Sequence, residues 1–276
     1  MRSLLYVPSS NARALAKARG LPADALILDL EDAVAPAEKA RARDSAAAAL
    51  AEGGFGRRMT ILRVNALDTE WGRDDLAAAN HADAVLLPKI SGAKAVEAYA
   101  RVIGDGPEIW AMAETPSGVL HAAEIAAVPR MRGLVIGTND LAAELACRPG
   151  PGRAELQMAL QSCVLAARAS GVACIDGVYN AVRDEDGFRA ECAQGLALGM
   201  DGKSLIHPSQ IAAANEIFAP SATEVELARR QIDAFAEAER NGLGVAVLDG
   251  KIVEALHVRA AKRLLERVAK IQAQSV

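Results

Sequence analysis

Short apolar runs recur eight times along this chain, most of them followed by a segment with helical spacing, and no other feature restricts the fold as much. The runs are residues 3–7, 25–30, 59–64, 84–87, 108–113, 133–136, 173–178 and 202–206. Each is bounded by Gly, Pro or Asp and is mostly continuous rather than alternating, the pattern of strands buried on both faces. Helical spacing is read over 12–19, 37–51, 92–102, 155–170, 184–198 and 208–218. Eight strands, each followed by a helix, is the count of a (β/α)8 TIM barrel. An open doubly wound sheet competes, but it places a G-x-G-x-x-G turn after an early strand. Here the first run passes into Val7-Pro8-Ser9-Ser10-Asn11, which has no such glycines. The expectation is an α/β barrel over 1–220.

The pattern changes beyond residue 220. Residues 221–239 read as one long, charged amphipathic helix opened by a capping box. Asn241-Gly242-Leu243-Gly244 follows as a joint, then an apolar run over 245–248, an Asp249-Gly250 turn and a last helix over 253–269. Residues 221–276 are too few for an independent domain and read as a C-terminal helical lid segment, over this barrel or a neighbour's.

Composition removes several function classes. The 31 Lys and Arg against 35 Asp and Glu leave a net charge of −4, with no electrostatic footprint for nucleic acid or an anionic membrane. Two Trp, three Tyr and four Phe are too few for base-stacking platforms. No apolar run approaches the ~18 residues of a membrane span. Cys147, Cys163, Cys174 and Cys192 show no C-x-x-C pair and read as small hydrophobes in a reducing, cytoplasmic compartment.

A barrel's chemistry lies at the C-terminal ends of its strands. Those positions hold Ser9 and Asn11, then Asp29, Glu31 and Asp32, then Arg63 and Asn65, Lys89, Glu114, Asn139 and Asp140, Asp176 and Asn180, and His207. Polar strand ends are ordinary for any one residue, but a barrel points all of them at one mouth. Glu114 and Asp140 follow consecutive strands and suit a shared Mg²⁺, which takes one or two carboxylates and completes its octahedron with water and substrate oxygens. They read equally as N-caps of the helices that follow. Arg63 interrupts an apolar strand. It is either tied to Asp29 or Glu31 as a structural ion pair or binds a substrate carboxylate or oxyanion. Asp29 and Glu31 share a strand face and either position Arg63 or take part directly, with their repulsion relieved by Arg63 or Lys39. Lys89 reads as a charge-balancing cation rather than a Schiff-base lysine.

Taken together, the segments Arg2-Ser3-Leu4-Leu5-Tyr6-Val7-Pro8, Leu28-Asp29-Leu30-Glu31-Asp32-Ala33-Val34, Leu62-Arg63-Val64-Asn65, Leu87-Pro88-Lys89, Ala113-Glu114-Thr115-Pro116-Ser117-Gly118, Gly137-Thr138-Asn139-Asp140-Leu141 and Gly202-Lys203-Ser204-Leu205-Ile206-His207-Pro208 resemble the citrate lyase β-subunit-like branch of the HpcH/HpaI aldolase/citrate lyase superfamily. The resemblance covers essentially the whole chain. It implies a trimeric or hexameric TIM-barrel enzyme with Mg²⁺ (or Mn²⁺) on Glu114 and Asp140. It further implies that Arg63 holds a substrate oxygen, and that Asn139 and Pro116 border the substrate. Relatives that act on free pyruvate carry a histidine base after an early strand; Asp29-Leu30-Glu31-Asp32 has none, which favours the branch that uses thioesters. The arm of a coenzyme A thioester is expected along Arg2, Arg13 and Lys17.

Longer relatives close the site with a C-terminal segment of an adjacent subunit, whose D-G-K-M-x-D pattern ends in an acid/base aspartate. This chain reads Asp249-Gly250-Lys251-Ile252-Val253-Glu254, so the expected acid/base is Glu254, one methylene longer. The implied reaction is cleavage or formation of a C–C bond in a 3-hydroxydicarboxylyl thioester such as malyl-CoA, citramalyl-CoA or a citryl thioester. The products are a 2-oxo acid and a thioester enolate protonated by Glu254. Thioester hydrolysis at the same site, or a barrel that binds ligand without catalysis, stand as alternatives.

Overall fold

The computed structural model describes residues 1–274 and divides into two compact units, Met1–Phe218 and a second beginning at Ala219. The first is a (β/α)8 barrel. Its strands are β1 (Ser3–Pro8), β2 (Ala25–Asp29), β3 (Met59–Arg63), β4 (Ala84–Leu87), β5 (Glu108–Ala113), β6 (Met131–Ile136), β7 (Ala173–Asp176) and β8 (Gly202–Leu205). All pair in parallel in sequence order, and β8 closes on β1.

Alternation along the strands creates two cores. Leu4, Ile27, Ile61, Leu86, Trp110, Met112, Val135 and Ile175 pack together in the lumen. Their neighbours, among them Leu5, Leu26, Leu28, Leu62, Val85 and Leu87, pack against the surrounding helices. Burial on both faces is why the runs are continuous rather than alternating. The β5–β6 register shifts at Trp110, where the indole lies on Gly133 so closely that a Cβ there would stand 2.3 Å from the ring.

Helices Ala12–Ala18, Lys39–Glu52, Ala93–Ile103, Gln157–Ser170 and Glu185–Leu198 fall where the spacing predicts them. The reading over 208–218 resolves into a 3₁₀ turn, Pro208–Gln210, and the helix Ile211–Ile217. The helices expected after Glu114 and at Asp140 are Pro116–Leu120 and Thr138–Glu144; the short helices Gly72–Ala77 and Ala122–Ala126 have no counterpart in the spacing, because five or six residues carry too little periodicity to be read.

The second unit holds the helix Ala222–Arg240, opened by the expected capping box between Ser221 and Glu224. An antiparallel hairpin follows, β9 (Ala246–Leu248) and β10 (Lys251–Val253). Asp249 and Gly250 both have positive φ, 50° and 73°, as a two-residue hairpin turn requires. Phe235, Ala238, Ala246, Val253 and Val258 form this unit's own small core, together with the helix Ala255–Gln274.

Among the described residues no helix is long and apolar enough to cross a membrane. All four cysteines are free, and Cys163, Cys174 and Cys192 are buried.

Candidate active site

Strand parity assembles the site. Two residues beyond the lumen-facing Leu4, Ile27, Ile61 and Met112 come Tyr6, Asp29, Arg63 and Glu114, all at the C-terminal end of the barrel. With Asn139 and Asp140 they line a cavity of ≈ 290 Å³, room for a small acid rather than a drug-sized ligand.

Asp29 and Arg63 are register partners on β2 and β3. The guanidinium donates from Nε to Asp29 Oδ1 at 2.7 Å and from Nη2 to Oδ2 at 2.6 Å. This two-pronged geometry fixes both side chains. Nη1 lies 2.9 Å from Glu31 and 3.5 Å from Asp32. The Glu31 Oε2 contact is an ion pair off the hydrogen-bonding line, so that buried oxygen has no hydrogen-bond donor. Burial works against the charged guanidinium, but the Asp29 carboxylate outweighs it, and the Arg63 pKa ends well above its ordinary value. Arg63 also lies 4.7 Å above the Tyr6 ring. It is thus ion-paired to Asp29 and also lines the cavity.

Glu114 is 1% exposed, and its Oε1 accepts the Lys89 backbone N–H at 2.6 Å. Burial pushes its pKa up to about 7, with Glu31 and Asp140 adding to the rise while the Lys89 N–H and Arg63 oppose it. Neither Glu114 nor Asp140 is an N-cap. Thr115 caps the helix Pro116–Leu120 through the Gly118 N–H, and Gly137 begins Thr138–Glu144 with Asp140 inside its first turn. Neither carboxylate is therefore spent on a helix cap. Among the described residues no three Asp, Glu, His or Cys form a metal cluster. A pair of carboxylates fits Mg²⁺, which draws its remaining ligands from water and substrate. Gly137 makes room for the arrangement: a Cβ there would stand 2.6 Å from Glu114 Oε2.

Lys89 joins the two halves of the site. Its φ is +51°, a left-handed conformation that is uncommon away from Gly and Asn. This directs the N–H to Glu114, while its Nζ donates to Glu31 Oε1 at 2.8 Å. The expected charge-balancing role fits this placement. Lys39, expected to relieve the acidic run, does so differently. Its Nζ donates to the Leu30 and Glu31 carbonyls at 2.9 Å each and to Asn65 Oδ1 at 2.6 Å. Asn65 in turn donates to the Leu30 carbonyl and to Asp75. Lys39 therefore clamps the backbone of the acidic loop rather than its carboxylates.

Other expectations diverge. Arg2 lies at the opposite end of the barrel, where β1 begins, and spends its guanidinium on Asp24 at 2.7 and 3.1 Å. It is not placed to hold a thioester arm at the mouth. Arg13 and Lys17 are exposed on the helix Ala12–Ala18, which leaves the mouth after β1. Pro116 is the first residue of its helix and does not line the cavity. Asp176 is turned into a buried network with Arg153 and Lys203 at 2.8 Å each, and His207 caps the turn Pro208–Gln210. Glu254 belongs to the second unit, where it is exposed and its backbone N–H is accepted by His257 Nδ1 at 3.0 Å. Tyr6 went unremarked at the level of sequence, although its parity with Leu4 marks it as lumen-facing.

The family model for HpcH/HpaI aldolase/citrate lyase matches residues 2–208. A "(3S)-malyl-CoA thioesterase" of Cereibacter sphaeroides (strain ATCC 17025 / ATH 2.4.3) is 58% identical over 274 residues, covering 99% of this chain and 96% of that one. The citrate lyase subunit beta of Escherichia coli (strain K12) is 40% identical over 279 residues, covering 96% and 92%. Among solved structures, the protein CitE from Mycobacterium tuberculosis, in complex with magnesium, acetoacetate and coenzyme A, superposes with a TM-score of 0.79. It is 30% identical, over 97% of this chain and 98% of that one. The chain belongs to the HpcH/HpaI aldolase/citrate lyase family of enzymes.

Proposed function

We propose that this protein acts on the coenzyme A thioester of a short 3-hydroxydicarboxylic acid of the (3S)-malyl type, and that it hydrolyses the thioester. The observation that carries the substrate class is that Arg63, held by Asp29, lines the same cavity of ≈ 290 Å³ as the Glu114 and Asp140 carboxylates. Two carboxylates able to share a cation, in one cavity with a fixed guanidinium, suit an acid that offers a carboxylate and an adjacent hydroxyl. Hydrolysis is favoured by the 58% identity to malyl-CoA thioesterases over nearly the full length of both chains.

Arg63 neutralises the free carboxylate and orients it without reorganising. Glu114 and Asp140 would hold Mg²⁺, which supplies Lewis-acid polarisation of the carboxylate and hydroxyl oxygens. Lys89 and Lys39 keep the acidic loop in place. Glu254 is the proposed base, carried on a C-terminal segment that packs on a neighbouring subunit of a homotrimer or hexamer. It takes a proton from water as the water oxygen bonds to the thioester carbon. The C–S bond breaks, and the coenzyme A thiolate leaves with the proton that Glu254 took from water. Arg13 and Lys17 are proposed to meet the coenzyme's phosphates.

Carbon–carbon cleavage is the second reading, favoured by the family and by the 40% identity to citrate lyase β subunits. Incubation with (3S)-malyl-CoA and Mg²⁺, following free thiol and trapping glyoxylate, separates the two. Thiol without glyoxylate supports hydrolysis; glyoxylate with acetyl-CoA supports cleavage. No turnover by either route defeats the substrate assignment.

A further inference from the structure

Tyr6 presents a strong donor with a weak acceptor. Among the described residues its Oη donates to the Met112 thioether alone, at 3.5 Å, and thioether sulfur accepts hydrogen bonds poorly. The side chain is nonetheless held firmly. Leu4 fills the lumen one layer below it, and the Arg63 guanidinium lies 4.7 Å above its ring. Tyr6 also borders the same cavity as Arg63, Glu114 and Asp140, so its hydroxyl stands in the wall where the acid end of a substrate would lie.

We propose that Tyr6 is a substrate-binding residue: its hydroxyl donates a hydrogen bond to an oxygen of the 2-hydroxy or 2-oxo carboxylate held between Arg63 and the two carboxylates. The inference rests on the substrate class assigned above. Burial raises the phenol pKa, and the nearby Asp29, Glu114 and Glu31 reinforce the rise against Arg63, so the group remains a donor at any working pH. The ring and the hydroxyl then have separate tasks. The ring supports Arg63, and the hydroxyl recognises the ligand. A site built to hydrogen-bond a ligand loses much of its affinity when the partner is removed.

Tyr6→Phe separates these tasks, because it keeps the ring under Arg63. L-malate and glyoxylate are titrated calorimetrically into the full-length protein with Mg²⁺ present, and Mg²⁺ is titrated alone as a control. Tyr6→Phe is expected to weaken binding of the acids about 10- to 100-fold, with Mg²⁺ affinity and Tm unchanged. A structural role alone would lower Tm and leave binding intact. Should the variant fail to fold, ¹³Cζ-tyrosine labelling of the native chain replaces it. The three tyrosines give three resonances, assigned through Tyr99→Phe and Tyr179→Phe, and the Tyr6 resonance is expected to move when acid is added. Acid binding that Tyr6→Phe leaves unaltered, or a Tyr6 resonance that stays still while acid binds, overturns the assignment of Tyr6 alone. A native protein that binds neither acid overturns the substrate class, and the inference with it.

Discussion

Asp29 and Arg63 are register partners on adjacent strands, and their side chains meet through two hydrogen bonds of 2.7 and 2.6 Å at the floor of the candidate site. Asp29 thereby decides how Arg63 is presented. Arg63→Lys keeps the charge but not the planar fork. It is expected to reduce kcat/KM about 10- to 100-fold, the usual cost of losing a hydrogen bond to a charged group. Asp29→Asn breaks a buried ion pair and is expected to destabilise the fold by about 3–5 kcal/mol, measured by urea denaturation. An Asp29→Asn variant as stable as the native protein would show that Glu31 and Asp32 suffice to hold Arg63.

The buried Glu114 carboxyl makes stability depend on pH in a defined direction. Its folded pKa, about 7, stands above the ordinary 4.5, so the folded state binds the proton more tightly than the unfolded chain. The penalty is absent below about pH 4.5, grows as pH rises, and is complete above about pH 7. It amounts to roughly 3 kcal/mol. In EDTA, Glu114→Gln should therefore be more stable than the native protein at pH 8 and lose that advantage by pH 4.5. Equal stability at both pH values would contradict the burial argument.

Gly137 faces Glu114 with no space for a methyl group. Gly137→Ala must displace the carboxylate, and the thermal shift produced by Mg²⁺ should fall to a small fraction of its native size. A normal Mg²⁺ response would remove Glu114 from the metal assignment, since binding at that carboxylate is what stabilises the fold.

Lys89 carries two functions that substitution can divide. Lys89→Gly keeps the backbone N–H to Glu114, accommodates the positive φ and removes the ammonium. Lys89→Ala removes the ammonium and keeps the backbone strain. Lys89→Gly is expected to be the more stable of the two by about 1 kcal/mol, with both losing activity through the lost contact to Glu31. Equal Tm values would argue that the left-handed backbone costs nothing here.

The barrel was legible because its strands are buried on both faces, so that apolar runs mark them almost to the residue: the run over 108–113 is β5 itself, and 84–87 is β4. The site was legible in part for the same reason. Arg63 and Glu114 stand out as charges at the ends of such runs. Tyr6 did not, because an aromatic in an apolar run reads as core until the lumen is seen to end beneath it. Arg2 misled although its place before the run over 3–7 already sets it at the N-terminal end of the barrel, away from the mouth; its bond to Asp24 holds it there. Lys39 was recognised as a counter-charge, yet its actual partners are backbone carbonyls, which no side-chain pattern encodes.

Single turnover of (3S)-malyl-CoA in H₂¹⁸O, read by mass spectrometry, tests the central claim most directly. Hydrolysis at this site predicts malate carrying one ¹⁸O in the carboxyl group formed from the thioester, together with free coenzyme A, and no product from Glu114→Gln. Acetyl-CoA and glyoxylate in place of labelled malate would contradict hydrolysis and assign the site to carbon–carbon cleavage.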